Sequence, residues 1–219
     1  MKKRIALIFV CLAVVVGMAW IFILRSSAAQ NSAPTKTEQY VKKNEKKPKA
    51  KPKTPDYKPY KDPTDLRKEG SWTKSSEKKA YPNIRYANNL TLRVSLKGNR
   101  VYLFKGKKLI YTMMSTGGVY KKGKSVTPKG TFYIQNGRGD SFFNQALGEG
   151  ARNWVSWDPS NVYLFHSVPT KADGSINRKE AAKLGKTQGS HGCIRLSLPD
   201  SKWLLNELPA GTKVIIKDV

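Results

Sequence analysis

Acidic residues, histidines and cysteines are all scarce in this chain. Across 219 residues, 15 Asp and Glu stand against 41 Lys and Arg, and there are two His and two Cys. The shortage of acid leaves a formal net charge of +26. That balance excludes a protein that avoids anions and admits nucleic acid, anionic lipid or an anionic cell envelope as partners. Two cysteines exclude a disulfide-stapled scaffold and any zinc-ribbon site. An apolar share of 39% is enough for one core. Charge therefore sets a class of partner, and the rare side chains have to name the chemistry.

The first 25 residues address the compartment. Met1-Lys2-Lys3-Arg4 is a cationic start, and an uncharged run from Ile5 to Leu24 follows, closed by Arg25. A helix of that length covers the ~30 Å hydrocarbon core of a bilayer, whereas a cleavable signal has an apolar stretch of about 7–15 residues. The reading favours an uncleaved single-pass membrane anchor, with Ser26-Ser27-Ala28-Ala29 as the place where cutting would release a secreted form. The N-terminal cations put the start in the cytoplasm and the remainder outside, at the membrane or in the wall. Cys11 lies inside the apolar run as an inert thiol.

From residue 26 to 83 the composition turns Lys- and Pro-rich, with Pro48, Pro52, Pro55, Pro59 and Pro63 and almost no apolar periodicity. Such a segment cannot bury enough surface to offset its chain entropy, so a disordered, extended linker is expected. Residues 1–83 hold 19 basic and 7 acidic side chains and the rest hold 22 and 8, so the folded part is basic as well.

Order is expected from Ile84 to Val219. Leu90, Leu92, Val94 and Leu96 alternate with Thr91, Arg93 and Ser95, the period of a half-buried strand. Lys97 to Arg100 reads as a turn, Val101 to Phe104 as a second strand and Leu109 to Ser115 as a third, a meander with an antiparallel sheet. Gly117-Gly118 and Lys121 to Lys124 read as an exposed loop. Thr131 to Ile134 and Val162 to Phe165 read as further strands, the latter delivering His166. Ser197 and Asp200 form a capping-box pattern ahead of Trp203, Leu204 and Leu208, and Val214 to Ile216 is a closing strand. The fold class is mainly β, with one short helix.

The rare residues converge on one segment. Cys193 is the single Cys outside the apolar run, and both histidines lie near it, as His166 and as His191 in Ser190-His191-Gly192-Cys193-Ile194-Arg195-Leu196. A thiolate is a nucleophile, and a neighbouring imidazole can take its proton and return one to a leaving amine. Gly192 allows close backbone approach, and its peptide N–H groups are candidates to hold an oxyanion. A Cys–His acyl-transfer site is the leading reading of these residues. A buried structural Cys beside two surface histidines is the plain alternative, and a zinc site lacks a fourth ligand.

The Ser-His-Gly-Cys core with an upstream strand His resembles the catalytic domain of YkuD-type L,D-transpeptidases. The likeness runs through most of residues 86–219 and includes Ser115-Thr116-Gly117 and Thr127-Pro128-Lys129-Gly130. It implies a β-rich fold in which Cys193 attacks the carbonyl between residues three and four of a peptidoglycan stem peptide. Transfer of the acyl group to an amine on a neighbouring stem gives a 3→3 cross-link. His166 is then the base, oriented by the backbone carbonyl of Ser167. Ser190, His191 and Gly192 position substrate and oxyanion, and Arg195 meets a substrate carboxylate. No metal or cofactor is implied, nor a nucleic-acid partner, while anionic wall polymers remain possible partners. A carboxypeptidase using water as acceptor, and a non-catalytic wall-binding module, are the other readings. Two features depart from the family pattern: 23 residues separate His166 from Ser190 where about 14 to 17 are usual, and Ser167 stands where many members have Gly. Trp154 and Trp157 are expected in the core.

Overall fold

The computed structural model of the protein describes residues 59–219. The expected membrane anchor and most of the expected linker lie outside the described residues. Among those described, no helix is long and apolar enough to cross a membrane.

Strands β1 (Leu90–Ser95), β2 (Arg100–Lys105) and β3 (Lys108–Met114) form the expected antiparallel meander. Leu90, Leu92 and Val94 point inward as their alternation requires. The C-terminal strand β11 (Lys213–Lys217) then enters beside β1 in parallel and pairs antiparallel with β6 (Gly130–Tyr133), giving the order β3-β2-β1-β11-β6. A second sheet has the order β10-β9-β8-β7, from β7 (Arg138–Asn144), β8 (Glu149–Ser156), β9 (Leu164–Ser167) and β10 (Ile194–Leu196). The core joins residues of both sheets: Leu92, Val94, Val101, Leu103, Val214 and Ile216 from the first, and Val155, Phe165, Ile194 and Leu196 from the second. Each such aliphatic side chain contributes about 1.5–3 kcal/mol by leaving water.

Lys121 to Lys124 is not a loop. Two short strands, β4 (Tyr120–Lys121) and β5 (Lys124–Ser125), close a hairpin through Lys122 and Gly123. Their φ angles of 49° and 76° give the primed turn that matches strand twist, which a lysine run conceals.

The described residues contain two helices, α1 (Arg178–Ala181) and α2 (Leu198–Glu207). Ser197 caps α2, its Oγ accepting from Asp200 N at 3.1 Å. The reciprocal half of the expected box is missing. The Asp200 carboxylate instead accepts from Ser76 Oγ at 2.5 Å, Ser76 N at 3.2 Å and Tyr81 OH at 2.8 Å.

Those bonds correct the boundary expected at residue 84. Residues 59–83 belong to the folded body, with Ser76 and Glu77 fully buried. Ser76 Oγ accepts from Met114 N at 2.8 Å and Glu77 Oε1 from Thr112 N at 2.7 Å, so the segment satisfies the free edge of β3. Upstream, Asp62 and Glu69 accept from the buried Arg100 guanidinium. The segment docks through these polar groups and through scattered apolar contacts, with Leu66 and Trp72 against the cluster of Met114 and Leu184, Tyr60 on Tyr102 and Tyr81 on Trp203, so hydrophobic periodicity does not reveal it.

Candidate active site

Cys193 precedes β10 directly and His166 lies on β9, two strands paired in parallel with Ile194 opposite Phe165 and Arg195 opposite His166. This pairing brings the 23-residue separation between His166 and Ser190 down to neighbouring strands. Both side chains open on a cleft of about 480 Å³, shared with Ser190, His191, Phe142, Leu147, Glu149, Trp154, Tyr163 and others. No Lys or Arg lines this cleft. The domain's positive charge is therefore not concentrated where the reaction would occur.

His166 is 3% exposed and Phe142 packs edge-on against its ring at 5.5 Å. Its Nδ1 lies 2.6 Å from the Ser167 carbonyl oxygen. A carbonyl only accepts, so Nδ1 carries the hydrogen and Nε2 keeps its lone pair. The Ser167 carbonyl is thus hydrogen-bonded to the imidazole. The Ser167 hydroxyl accepts from Arg152 N at 2.9 Å and donates to Val168 O at 2.8 Å, so it takes no part in that bond. Burial, followed by the charge of Arg195, lowers the His166 pKa to about 3. Burial pushes the Cys193 thiol up to about 11. The resting pair is therefore neutral thiol and neutral imidazole, not a preformed ion pair. The thiol donates weakly to Val162 O at 3.7 Å.

The Ser190–Cys193 loop is held from inside. Ser190 Oγ donates to Cys193 O at 2.6 Å and accepts from Gly192 N at 3.1 Å. The Gly192 N–H, expected as an oxyanion donor, is thereby occupied. Gly192 has φ of 136°, in the region that L side chains avoid. A Cβ there would fall 2.6 Å from the Tyr163 ring, so glycine is required on two counts. His191 is exposed and lines the cleft.

Arg195 does not meet the substrate space. It is 1% exposed, with Nη2 donating to Glu149 Oε1 and Oε2 at 2.6 and 2.8 Å and Nη1 to Glu180 Oε2 at 2.9 Å. A buried guanidinium needs such partners, and both are acids distant in sequence. They tie β10 to the start of β8 and to α1. Of the two tryptophans, Trp157 is fully buried as expected, but Trp154 lines the cleft.

Phe142, Leu147, Glu149 and Tyr163 are cleft residues that sequence reasoning did not single out. The β7–β8 hairpin that carries three of them lacks clean alternation, since several of its apolar side chains face the cleft rather than the core. Among the described residues, no group of three His, Cys, Asp or Glu is arranged to hold a metal.

Residues 89–216 match the YkuD model, described as the L,D-transpeptidase catalytic domain. A Bacillus subtilis (strain 168) protein named L,D-transpeptidase YciB is 43% identical over 157 residues, covering 70% of this chain and 79% of that one. Among solved structures, the L,D-transpeptidase from Mycobacterium smegmatis is 16% identical with a TM-score of 0.47, over 59% of this chain and 58% of that one. A fused Zn-dependent amidase/peptidase/peptidoglycan-binding domain-containing protein from Clostridium acetobutylicum ATCC 824 is 31% identical with a TM-score of 0.44, over 59% of this chain and 52% of that one. This chain thus spans about half the length of each of those solved chains. The matched family domain ends three residues short of Val219 and takes in both strands of the cleft, His166, Cys193 and the loop between them; by that span and by its likeness to the Bacillus protein, the chain belongs to the YkuD family of L,D-transpeptidase catalytic domains.

Proposed function

We propose that the chain is a cysteine-dependent L,D-transpeptidase that joins peptidoglycan stem peptides by 3→3 cross-links through an acyl-enzyme on Cys193. The observation carrying this reading is the His166 tautomer. With Nδ1–H bound to the Ser167 carbonyl, Nε2 is a lone-pair acceptor in the same cleft as the Cys193 thiol.

Because thiol and imidazole rest neutral, the proton moves to Nε2 as sulfur attacks, not beforehand. The C–S bond forms at the carbonyl of the third stem residue and its oxygen takes the negative charge. Collapse breaks the C–N bond to the fourth residue, whose amine takes the proton from His166. An acceptor amine then attacks the thioester and gives a proton to Nε2. The C–S bond breaks, and the thiol is restored as His166 returns the proton to sulfur. The aromatic and apolar walls from Phe142, Leu147, Trp154 and Tyr163 suit the uncharged stretches of a stem peptide. Residues 5–24 hold the enzyme at the membrane with the domain on the wall side, and the basic linker keeps it near anionic polymer.

The test is incubation of the full chain with purified peptidoglycan and mass analysis of the fragments. Cross-linked dimers are expected, and Cys193→Ala removes them while changing stability by about 1 kcal/mol or less, since the side chain is small and only partly buried, at the cleft wall. Trimmed tripeptides alone make the enzyme a carboxypeptidase, and wall bound but unchanged makes it a binding module. Dimers formed by Cys193→Ala overturn the mechanism.

A further inference from the structure

Thr127 lies outside the cleft, just after β5, and is 1% exposed. Its hydroxyl is used twice. It accepts from Gly118 N at 2.9 Å and donates to Gly192 O at 2.9 Å. The accepted bond leaves the hydroxyl hydrogen free for Gly192, so a single side chain couples the catalytic loop to the base of the β4–β5 hairpin. That base is itself fixed. Val119 N donates to Ser190 O at 3.0 Å, and Ser125 Oγ donates to Gly118 O at 3.1 Å.

The bond to Gly192 O has a consequence for the next atom pair. The described residues contain no cis peptide, and in a trans peptide the C=O and the following N–H point in opposite directions across the plane. Holding Gly192 O toward Thr127 therefore turns Cys193 N–H away from Thr127. The neighbouring donor, Gly192 N–H, is taken by Ser190 Oγ. Outside the β ladders, no described carbonyl accepts from Cys193 N–H.

We propose that Thr127 is a positioning residue which, by clamping the Gly192–Cys193 peptide plane, aims Cys193 N–H at the oxyanion formed during acylation. The inference rests on the proposed acylation of Cys193. A preorganised donor matters because it is already oriented when charge develops on the carbonyl oxygen. Without the clamp, Gly192 is free to rotate its plane, having no Cβ to hinder it. Ser190 alone fixes Gly192 N and Cys193 O, which lie on either side of that plane but not in it.

The test separates a reaction that makes an oxyanion from one that does not. Attack on a stem-tetrapeptide donor passes through a tetrahedral oxyanion, whereas alkylation of the same sulfur by iodoacetamide is a direct displacement at carbon. The full chain, Thr127→Val and Thr127→Ser are compared for both rates at Cys193 by mass spectrometry, with thermal melts as the check on folding. Thr127→Val is expected to slow acylation by about 10–100-fold, against the 10²–10³ seen when an oxyanion donor is removed outright. Iodoacetamide alkylation stays within about twofold, and the acylation loss falls on kcat rather than KM. Thr127→Ser keeps the hydroxyl and restores acylation. Equal slowing of both reactions in Thr127→Val, or a Thr127→Ser as slow as it, would make Thr127 merely structural and overturn the proposal. An unchanged acylation rate overturns it as well. If the unsubstituted chain forms no adduct on Cys193, the nucleophile assignment fails first and this inference with it.

Discussion

Arg195 and His166 are register partners across the parallel ladder of β9 and β10, so a fixed cation stands beside a buried imidazole. Burial first and this charge second hold the imidazole neutral, while the Glu149 and Glu180 carboxylates keep the guanidinium itself compensated.

That neutrality has a cost in acid. His166 takes a proton at about 3 in the folded chain, against an ordinary value near 6.5. Between those values the unfolded chain binds the proton and the folded chain does not, so stability rises with pH across the window. Its contribution is complete above about 6.5 and is lost as pH falls toward 3. At about 1.36 kcal/mol per unit, the loss reaches at most about 5 kcal/mol. Urea unfolding from pH 7 to pH 4 should show the chain weakening more steeply than His166→Asn, whose site has no proton to gain. Parallel declines in the two would mean that His166 takes its proton at the same pH folded as unfolded, so that burial does not hold it neutral.

The thiol gives a second pH signature. With Cys193 pushed up to about 11 by burial, the thiolate fraction and the iodoacetamide rate should keep climbing past pH 9. A preformed thiolate–imidazolium pair would instead plateau near neutrality. His166→Asn should leave this alkylation profile nearly unaltered while slowing acyl transfer by about 10²–10⁴, the usual worth of general-base catalysis.

Arg195→Met tests the buried triad. Removing the guanidinium leaves Glu149 and Glu180 facing a buried apolar chain, and breaking such a pair costs about 3–5 kcal/mol. Arg195→Lys should recover only part of this, because an ammonium cannot hold both carboxylates in the geometry of the fork. Chemical denaturation measures both. A neutral Arg195→Met would show the network to be dispensable.

Ser76→Ala tests the docked N-terminal segment. It removes the donor to Asp200 and the acceptor for Met114 N, and leaving buried groups unsatisfied costs about 1–3 kcal/mol. Limited proteolysis should then cut within residues 59–83 sooner than in the unsubstituted chain. Substitution of the exposed Lys74 should do neither.

The elements legible in the sequence are those held by neighbours in sequence. The β1–β3 meander follows from alternation and turn residues, and the Ser197 cap from its own first turn. Where partners are distant, the local pattern misleads. Asp200 reads as half of a capping box, yet its carboxylate serves Ser76 and Tyr81, more than a hundred residues upstream. The segment 59–83 reads as linker because its apolar anchors, Tyr60, Leu66, Trp72 and Tyr81, follow neither a strand nor a helix period, and its fully buried residues are the polar Ser76 and Glu77. Arg195, a substrate contact only by the family resemblance, is buried against Glu149 and Glu180.

The sequence by itself determined which reactive groups are available. Outside the apolar run one thiol and two imidazoles are available, and Ser-His-Gly-Cys sets the first against the backbone that must bend around it. The tertiary structure alone decided the protonation and the aim of that chemistry. The partners of Arg195 lie 46 and 15 residues away, and the hydroxyl holding Gly192 lies 65 residues away. Burial of a charge and orientation of a peptide plane depend on what packs against them, and no stretch of sequence contains its own neighbours in space.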